Sequence, residues 1–559
     1  MTAKEMRAKR RKLVADWEAL MRTFIKPENE ATKTILLKYM EPILFGLHSF
    51  LNKHVGITEE VSIKELADQY KNSRINPYPE KKLADVITDL IENIAPHAVN
   101  IASPYFVGHM TSAIPFFMVH LKTITAALNQ NVVKLETSKV VSVVEKQVLA
   151  KIHRLIYRKD DPFYEEHIQN PDTTLGCFTD GGTLANTTAM WVARNAAMPK
   201  TAGFKGIESE GLAAAYRYYG LERCVILVSR LGHYSLSKAC GLLGIGNENL
   251  IPIDVDNRNK INIKQLRQII RQLEKEKDRT KIMAVVGIAG TTETGNIDPL
   301  RELADICAEK KIHYHVDAAW GGPTLMSDKY AHLLDGIKYA DSVTIDGHKQ
   351  FYMPMTCGMV YFKDPHRMDH IAYHARYVNR PGSVDLGIKS LSGSREANSL
   401  ILDSTLKIMG SKGFALLINH GIETAREFAK EIKKRPLFQL ISPPELNILT
   451  YRICPEYLQK QFPAANQAEK NEINETMNYI NQNIQRCQRE AGKSFVSRTT
   501  LQLKRLFNRD IVVFRCVIMN PMTDKKILND ILDEQEEIFN YHFQDILLMG
   551  SGRLKLTAK

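Results

Sequence analysis

Residues 282–295 read IMAVVGIAGTTETG, and residues 312–322 read IHYHVDAAWGG. Each stretch begins with apolar and β-branched residues and then changes to glycine, hydroxyl and ionisable residues. Short apolar runs bounded in this way are typical of strands that are buried on both faces of a parallel sheet. Ligands of such sheets bind at the carboxyl ends of the strands, so the residues after each run are the first candidates for a functional site.

The same pattern recurs between about residues 100 and 390. The further candidate strands are 174–179, 223–229, 341–345 and 357–362. Amphipathic segments long enough for crossover helices lie between most of them, which predicts an α/β fold with a mostly parallel sheet. We therefore expect a helical N-terminal segment that serves dimerisation, a large α/β domain, and a linking helix with a small C-terminal α/β domain. The boundaries of these three parts are 1–100, 101–395 and 396–559.

The flanking parts have their own patterns. The first 95 residues repeat apolar side chains at steps of three and four, which predicts helices. In the C-terminal part, NILTYRI (447–453) and IVVFRCVIM (511–519) are strand-like. The polar stretch 463–493 predicts a long amphipathic helix, and a closing helix is expected near 523–539.

Composition excludes several classes of protein. The 559 residues are 44% hydrophobic and 25% charged, which is typical of a folded chain and not of a disordered or collagen-like one. The formal charge of +12 is modest for this length, and no compact basic stripe is present, so we expect no nucleic-acid partner. No apolar run reaches the length of a membrane span. Eight scattered cysteines without zinc-binding spacing predict free thiols in the cytoplasm and no metal site.

Five of the predicted strands are followed by residues that can carry chemistry. They are Gly182 and Thr183 after 174–179, His233 after 223–229, Thr291 after 282–288, Asp317 and Ala319 after 312–316, and Asp346, His348 and Lys349 after 341–345. A Gly-Gly-Thr turn before a helix lets the backbone approach an anion closely, because the helix N-terminus offers free N–H groups. The alternative is a plain N-cap by Thr183.

The ionisable residues of this set each allow two interpretations. A carboxylate such as Asp317 at the end of an apolar strand is costly unless a cation pairs with it, although it could simply be a capping residue. Lys349 has the setting of a Schiff-base lysine or is a surface lysine. His233 could stack on a flat ring and move protons, or it is structural. Taken together, an anion site, a carboxylate, a flat side chain and a lysine indicate pyridoxal 5'-phosphate (PLP) as the cofactor.

The ordered motifs Gly-Gly-Thr, His-Tyr-Ser, Gly-Thr-Thr-Glu-Thr-Gly, Asp-Ala-Ala-Trp-Gly-Gly and Asp-Gly-His-Lys resemble those of the group II PLP-dependent amino-acid decarboxylases. The resemblance is greatest to the bacterial aspartate/glutamate decarboxylase-like branch, and it runs from SPYFVGHMTS (103–112) to VFRCVIMNP (513–521). Asp180, Leu184 and Trp320 depart from the residues usual in that family. The resemblance implies fold type I of the PLP enzymes, the aspartate aminotransferase-like fold, and a homodimer with shared active sites.

The resemblance also implies a role for each site residue. Gly182, Thr183 and His348 hold the phosphate, His233 and Ala319 cover the two faces of the ring, Asp317 pairs with the ring nitrogen, Lys349 binds the cofactor covalently, and Thr291 and Asp346 line the same pocket. The segment 374–395 matches a mobile loop whose tyrosine acts as proton donor. Tyr377 is our candidate for that tyrosine, with Tyr373 as the alternative, and a packing role remains open for Tyr377. His233, acting through a hydroxyl or a water, is the other candidate for the proton donor.

The implied reaction is α-decarboxylation of a small acidic L-amino acid, from aspartate to β-alanine or from glutamate to GABA. Arg515 matches a family arginine that binds a substrate carboxylate, and His109 lies on the wall that faces the substrate side chain. The alternatives are that His109 only packs and that Arg515 pairs with an internal carboxylate. For the whole chain, the alternatives are decarboxylation of another amino acid, lyase or aminotransferase chemistry with PLP, or a basic nucleic-acid-binding protein that keeps only the fold.

Overall fold

The computed structural model describes residues 16–17, 30–51, 55, 63–275, 279–374, 385–503 and 509–543. The α-helices are α1 Glu30–Leu51, α2 Ile63–Gln69, α3 Leu83–Asp89, α4 Phe117–Leu128, α5 Leu135–Ser138, α6 Val140–Tyr157, α7 Asp161–His167, α8 Gly182–Ala197, α9 Ile207–Glu210, α10 Leu212–Tyr219, α11 Ser235–Leu242, α12 Ile263–Lys275, α13 Leu300–Lys310, α14 Asn398–Lys434, α15 Glu456–Gln461, α16 Gln467–Ala491 and α17 Lys525–His542. Shorter 3₁₀ turns are Ala95–His97, Asn247–Asn249, Gly322–Met326, Ala331–Leu334, Ile337–Tyr339 and Arg367–Ile371, and Leu90–Ile94 is a π-helical turn.

The strands form two sheets. They are β1 Gly176–Thr179, β2 Arg223–Ser229, β3 Leu250–Ile253, β4 Thr280–Ile288, β5 His313–Asp317, β6 Ser342–Asp346, β7 Gly358–Phe362, β8 Phe438–Ser442, β9 Ile448–Ile453, β10 Ser497–Leu503 and β11 Arg509–Val517. Among the described residues the large sheet has seven strands in the order β1-β7-β6-β5-β4-β2-β3. Only β7 runs against the others in it, so the sheet is mostly parallel. The predicted α/β class is confirmed.

The large sheet is buried on both faces because its strands alternate between two apolar clusters. On β2, for example, Val225 and Leu227 pack into one cluster, whereas Cys224 and Ile226 pack into the other. Helix α8 covers the second face with Ala189 and its neighbours. A two-residue alternation with apolar side chains on both faces is what continuous β-branched runs produce in a parallel sheet.

The second sheet is antiparallel, with the strand order β10-β11-β9-β8. Its core side chains include Ile441, Leu501, Ile511 and Val513. The long helix α14 leads from the large sheet into this part of the chain and is interrupted at Gly410, whose φ of 62° only glycine adopts readily.

The chain divides into two compact units. The smaller takes the described residues within Met1–Phe106, Asn483–Val496 and Asp533–Lys559, and the larger takes those within Val107–Gln482 and Ser497–Leu532. Every described candidate site residue belongs to the larger unit. In the part of the chain that the structure describes, no helix combines the length and the apolarity needed to cross a membrane.

Candidate active site

The candidate residues converge because their strands are parallel. Strands β1, β2, β4, β5 and β6 run in one direction, so the loops after them emerge at one edge of the large sheet. Gly182 and Thr183 begin α8 after β1, and His233 precedes α11 after β2. Thr291 follows β4, and Lys349 follows β6.

Lys349 is held at this edge by Asp346. Its Nζ lies 2.9 Å from Oδ2 of the aspartate, whose side chain is only 2% exposed. His348 Nε2 lies 3.8 Å from the same oxygen. The other carboxylate oxygen, Oδ1, is buried and has no hydrogen-bond partner among the described residues. A buried carboxylate oxygen without a donor is rare, and it indicates that a further group belongs in this pocket.

The first turn of α8 closely approaches the end of β6. A Cβ atom added to Gly182 would lie 2.9 Å from Asp346 Oδ2 and 3.3 Å from the Cβ of Ala319, so only glycine fits there. Gly181 has a φ of 152°, a conformation that other residues rarely adopt. The two glycines thereby bring the unpaired N–H groups of a helix N-terminus, with its positive dipole, into the pocket.

Asp317 ends β5 with its side chain 7% exposed. Its Oδ2 accepts a hydrogen bond of 2.8 Å from Asn186 Nδ2, and its Oδ1 accepts one of 3.1 Å from the backbone N–H of Ala319. These two donors fix the plane of the carboxylate. Ala319 itself is buried beside Gly182.

His233 is half-buried at the start of α11, where its Nδ1 accepts a hydrogen bond of 3.3 Å from the backbone N–H of Ser235. Burial lowers the pKa of His233, and the charge of Asp317 opposes part of that shift, which places the two residues near each other. A neutral imidazole at pH 7 is able to stack on a ring and to accept a proton.

Arg515 on β11 is 7% exposed and faces backbone carbonyls. Its Nε donates to the carbonyl oxygen of Thr292 at 2.5 Å, and its Nη1 donates to that of Gly108 at 3.2 Å. Burial lowers the pKa of Arg515 to about 10, and Glu293 opposes that shift. Burial also raises the pKa of Glu293, and the charge of Arg515 opposes part of that shift.

His109 reaches the solvent, but its ring is partly covered by protein, and its Nδ1 lies 3.1 Å from the hydroxyl of Thr111. Burial lowers the pKa of His109, and the positive charges of Arg515, Lys349 and His348 lower it further. Because these charges act on His109, the segment that carries it borders the same pocket as Lys349.

For two of the site residues predicted from the sequence, the structure gives no direct support. The hydroxyl of Thr291 is fully buried, lies 2.8 Å from that of Thr294 and accepts the N–H of Asn296, so in this structure it closes the turn after β4. Tyr377 lies outside the described residues. Tyr373, the alternative, is 54% exposed, with its ring 6.3 Å from that of Trp191. A cofactor contact for Thr291 and a proton-donor role for Tyr377 stay predictions.

The sequence interpretation missed Asn186, Ser235 and His315, which form a layer behind Asp317. Asn186 Nδ2 donates to Ser235 Oγ at 2.9 Å as well as to Asp317. His315 Nε2 lies 3.1 Å from Asn186 Oδ1. The available signal was the sequence His-Tyr-His-Val-Asp, in which alternate residues of a buried strand are polar.

Comparison with known proteins decides what kind of site this is. The family model for the pyridoxal-dependent decarboxylase conserved domain matches residues 68–454. The chain belongs to this decarboxylase family. An aspartate 1-decarboxylase of Aliivibrio fischeri is 44% identical over 525 residues, which cover 94% of this chain and 95% of the relative. The human acidic amino acid decarboxylase GADL1 is 29% identical over 84% of this chain and 83% of its own length.

Solved structures agree on the fold. The glutamate decarboxylase domain of a diaminobutyrate-pyruvate transaminase and L-2,4-diaminobutyrate decarboxylase from Vibrio parahaemolyticus superimposes with a TM-score of 0.77 at 21% identity. The alignment covers 94% of this chain and all of that one. Mouse CSAD gives a TM-score of 0.77 at 23% identity and covers 90% of this chain and 99% of its own. The predicted fold type I architecture is confirmed.

As a member of this family the chain is a PLP-dependent carboxy-lyase, and its pocket fits the cofactor. Lys349 supplies an amine, Asp317 a buried carboxylate, and the first turn of α8 a site for the phosphate. The unpaired Oδ1 of Asp346 and the close approach of Gly182 leave a polar cradle at the same edge of the sheet. These features match the groups that PLP carries.

Proposed function

We propose that this decarboxylase removes the α-carboxyl group of a small acidic L-amino acid, aspartate or glutamate. The observation that carries the proposal is the 44% identity, over nearly the full length of both chains, to an aspartate 1-decarboxylase. The relative described as an acidic amino acid decarboxylase supports the same substrate class.

We assign the reaction to the residues at the sheet edge. When bound, PLP accepts the electron pair that remains on the α-carbon after carbon dioxide leaves. Asp317 holds a proton at the ring nitrogen of the cofactor, and Lys349 provides the amine that binds the cofactor and later releases the product. His233 and Ala319 cover the ring, while Gly182, Thr183 and His348 hold the phosphate, and Thr291 and Asp346 complete the wall. Tyr377, or alternatively Tyr373 or His233 acting through a hydroxyl or a water, delivers a proton to the α-carbon.

Charge supports an acidic substrate. Arg515 donates to two backbone carbonyl oxygens and to the hydroxyl of Ser497, and all three of these acceptors are neutral. Because none of these three acceptors is ionised, the guanidinium of Arg515 can still pair with an anionic substrate. We infer that Arg515 binds a substrate carboxylate and that His109 borders its side chain.

Arg515→Lys should lower kcat/KM for aspartate and glutamate about tenfold or more, because a lysine keeps the charge but loses the planar fork that grips a carboxylate. The measurement is carbon dioxide release across a panel of acidic, aromatic and basic amino acids. The effect should be much smaller on any non-acidic amino acid that the enzyme accepts.

Arg452→Lys is the matched control, since Arg452 on β9 is also buried and bonded, to Gln439 and Asn474. It should lower stability without changing substrate preference. A wild-type preference for tyrosine, tryptophan or histidine would refute the acidic substrate and leave the decarboxylase assignment intact. Keto acid as the product, without carbon dioxide, would instead indicate the aminotransferase alternative.

We propose further that the enzyme is a homodimer with shared active sites, because each unit exposes large apolar side chains. In the larger unit these are Phe116 (79% exposed), Ile124 (53%) and Leu128 (46%) in and beside α4. In the smaller unit, Phe45 is 68% and Ile75 97% exposed. Apolar surface of this kind is a mark of protein–protein interfaces.

Sedimentation should accordingly give about twice the chain mass of 63.5 kDa. Phe116→Glu should shift the equilibrium toward the monomer, because a charge in an apolar interface is costly. Tyr541→Glu is the control, since Tyr541 is also exposed, at 84%, but belongs to neither patch. A wild type that sediments as a monomer at micromolar concentration would contradict the proposal.

We also infer a reducing compartment, the cytoplasm. All eight cysteines lie among the described residues as free thiols, and seven of them are buried. Chains that fold in oxidising compartments tend instead to form disulfides.

A further inference from the structure

Strand β5 presents an unusual surface to helix α8. Its residues His313, His315 and Asp317 are the register partners of Ala284, Val286 and Ile288 on β4, which belong to the apolar cluster under α8. The neighbouring strand β6 continues the polar stripe with the fully buried Ser342. Burying two histidines in an otherwise apolar layer lowers stability unless each ring nitrogen has a hydrogen-bond partner. The partners of these nitrogens therefore indicate the role of the two histidines.

The hydrogen bonds form one continuous chain that ends on Asp317. From the outer end, Arg367 Nη2 lies 3.3 Å from His313 Nδ1, and His313 Nε2 lies 2.8 Å from Ser342 Oγ. Ser342 Oγ also lies 2.8 Å from His315 Nδ1. His315 Nε2 lies 3.1 Å from Asn186 Oδ1, and Asn186 Nδ2 donates to Asp317 Oδ2 at 2.8 Å.

The direction of every bond in the chain follows from its two charged ends. An ionised Asp317 only accepts, so Asn186 must turn its amide nitrogen toward it and its oxygen toward His315. His315 then carries its proton on Nε2, and its Nδ1 accepts from the hydroxyl of Ser342. Ser342 in turn accepts from His313 Nε2, and the Nδ1 left on His313 accepts from Arg367, which only donates.

Both histidines must be neutral for this arrangement to hold. Burial lowers the pKa of His313 well below its usual value, and the charge of Arg367 lowers it further. Burial also lowers the pKa of His315, and the charge of Asp317 opposes part of this shift. A neutral imidazole has one donor nitrogen and one acceptor nitrogen. Each histidine therefore accepts a hydrogen bond on the side of Arg367 and donates one on the side of Asp317. Asp341 is a further charged group at the outer end, and its Oδ2 lies 3.9 Å from His313 Nδ1.

We propose that His313, Ser342, His315 and Asn186 are positioning residues that keep the carboxylate of Asp317 oriented toward the ring nitrogen of the cofactor. Every hydrogen bond in the chain donates in the direction of the carboxylate, and this fixes the amide of Asn186 with its nitrogen toward Asp317. The inference rests on the proposed role of Asp317 and assigns to this role residues that contact neither cofactor nor substrate.

The test compares binding of PLP to the apoenzyme with binding of its carbocyclic analogue, in which a C–H group replaces the ring nitrogen. We expect the wild type to bind PLP more tightly, because only PLP pairs with Asp317. In His315→Phe the ratio of the two dissociation constants should fall about tenfold, since Asn186 loses the hydrogen bond that keeps its amide nitrogen turned toward Asp317, and one hydrogen bond has roughly that effect. His315→Gln, which keeps a donor for Asn186, should restore part of the ratio.

His153→Phe is the matched control. His153 is also fully buried and also makes two hydrogen bonds, to Tyr164 and to the carbonyl of Phe362, but it lies outside the chain. A merely structural effect weakens binding of both ligands equally, so an unchanged ratio in His315→Phe would overturn the inference. A wild type that binds both ligands equally would refute the role of Asp317 itself, and with it the proposed function of that residue.

Two further measurements keep the test decisive if His315→Phe does not fold. Ser342→Ala removes a single hydroxyl and should lower the ratio in the same direction. In the wild-type apoenzyme with ¹⁵N-labelled histidine, NMR should show His313 and His315 neutral and protonated on Nε2. A proton on Nδ1 of His315 would reverse the chain and contradict the proposal.

Discussion

Lys349→Ala should abolish turnover, with a loss of at least about 10³-fold, because no other amine can take over from a covalent lysine. In the wild type, borohydride should attach the cofactor irreversibly to the peptide that contains Lys349, and mass spectrometry should locate it there. The variant should still bind PLP non-covalently, since the phosphate site at α8 and the carboxylate of Asp317 remain.

The variant also removes the cation that faces Asp346, whose carboxylate is 2% exposed. An unpaired buried carboxylate lowers stability, so lost activity has to be separated from lost fold. Lys151→Ala provides the control, because Lys151 Nζ lies 2.6 Å from Asp403, which is 5% exposed, well outside the site. Lys151→Ala should lose stability and keep turnover. Normal activity in Lys349→Ala would remove this lysine from the mechanism.

The sequence predicts the large sheet well because its strands are continuous apolar runs. The strand predicted at 312–316 is observed at His313–Asp317, and the strand predicted at 223–229 is observed at Arg223–Ser229. Sequence reasoning missed β3, β8 and β10, each of which is an edge strand of its sheet. Edge strands are half solvated and short or polar, as in SRTTLQL of β10, so they lack the signal of burial.

Only those site residues that lie at the ends of strands could be predicted from the sequence. Lys349, Asp317 and His233 follow strands directly, and strand ends in a parallel sheet converge by geometry. Asn186 lies one turn inside a helix, where a polar residue in a sequence usually indicates solvent, and only the packing of α8 on β5 brings it to Asp317. Two of the partners of Arg515 were likewise hidden, since they are backbone carbonyls, which any residue carries.

Asp317→Asn should lower turnover about 10²- to 10³-fold with the fold intact, an effect comparable to the loss of one preorganised electrostatic contact in other enzymes. The amide is neutral and cannot keep a proton on the ring nitrogen by charge. Asp317→Glu keeps the charge but moves it by one methylene, so it should retain more activity than the amide. The measurements are carbon dioxide release and the dissociation constant of PLP.

The amide should also disturb the residues behind it. In the wild type, Asn186 Nδ2 donates to Asp317. If the new asparagine at position 317 turned its own amide nitrogen toward Asn186, two donors would face each other, and Asn186 would have to rotate and lose its hydrogen bond with His315. Asp403→Asn is the control, because Asp403 on α14 is a buried aspartate that pairs with Lys151 and Lys407 and with no described candidate site residue. It should cost stability and not turnover. If Asp317→Asn turned over at a rate near that of the wild type, the charge of Asp317 would have no part in the reaction, and the polar stripe on β5 would be structural.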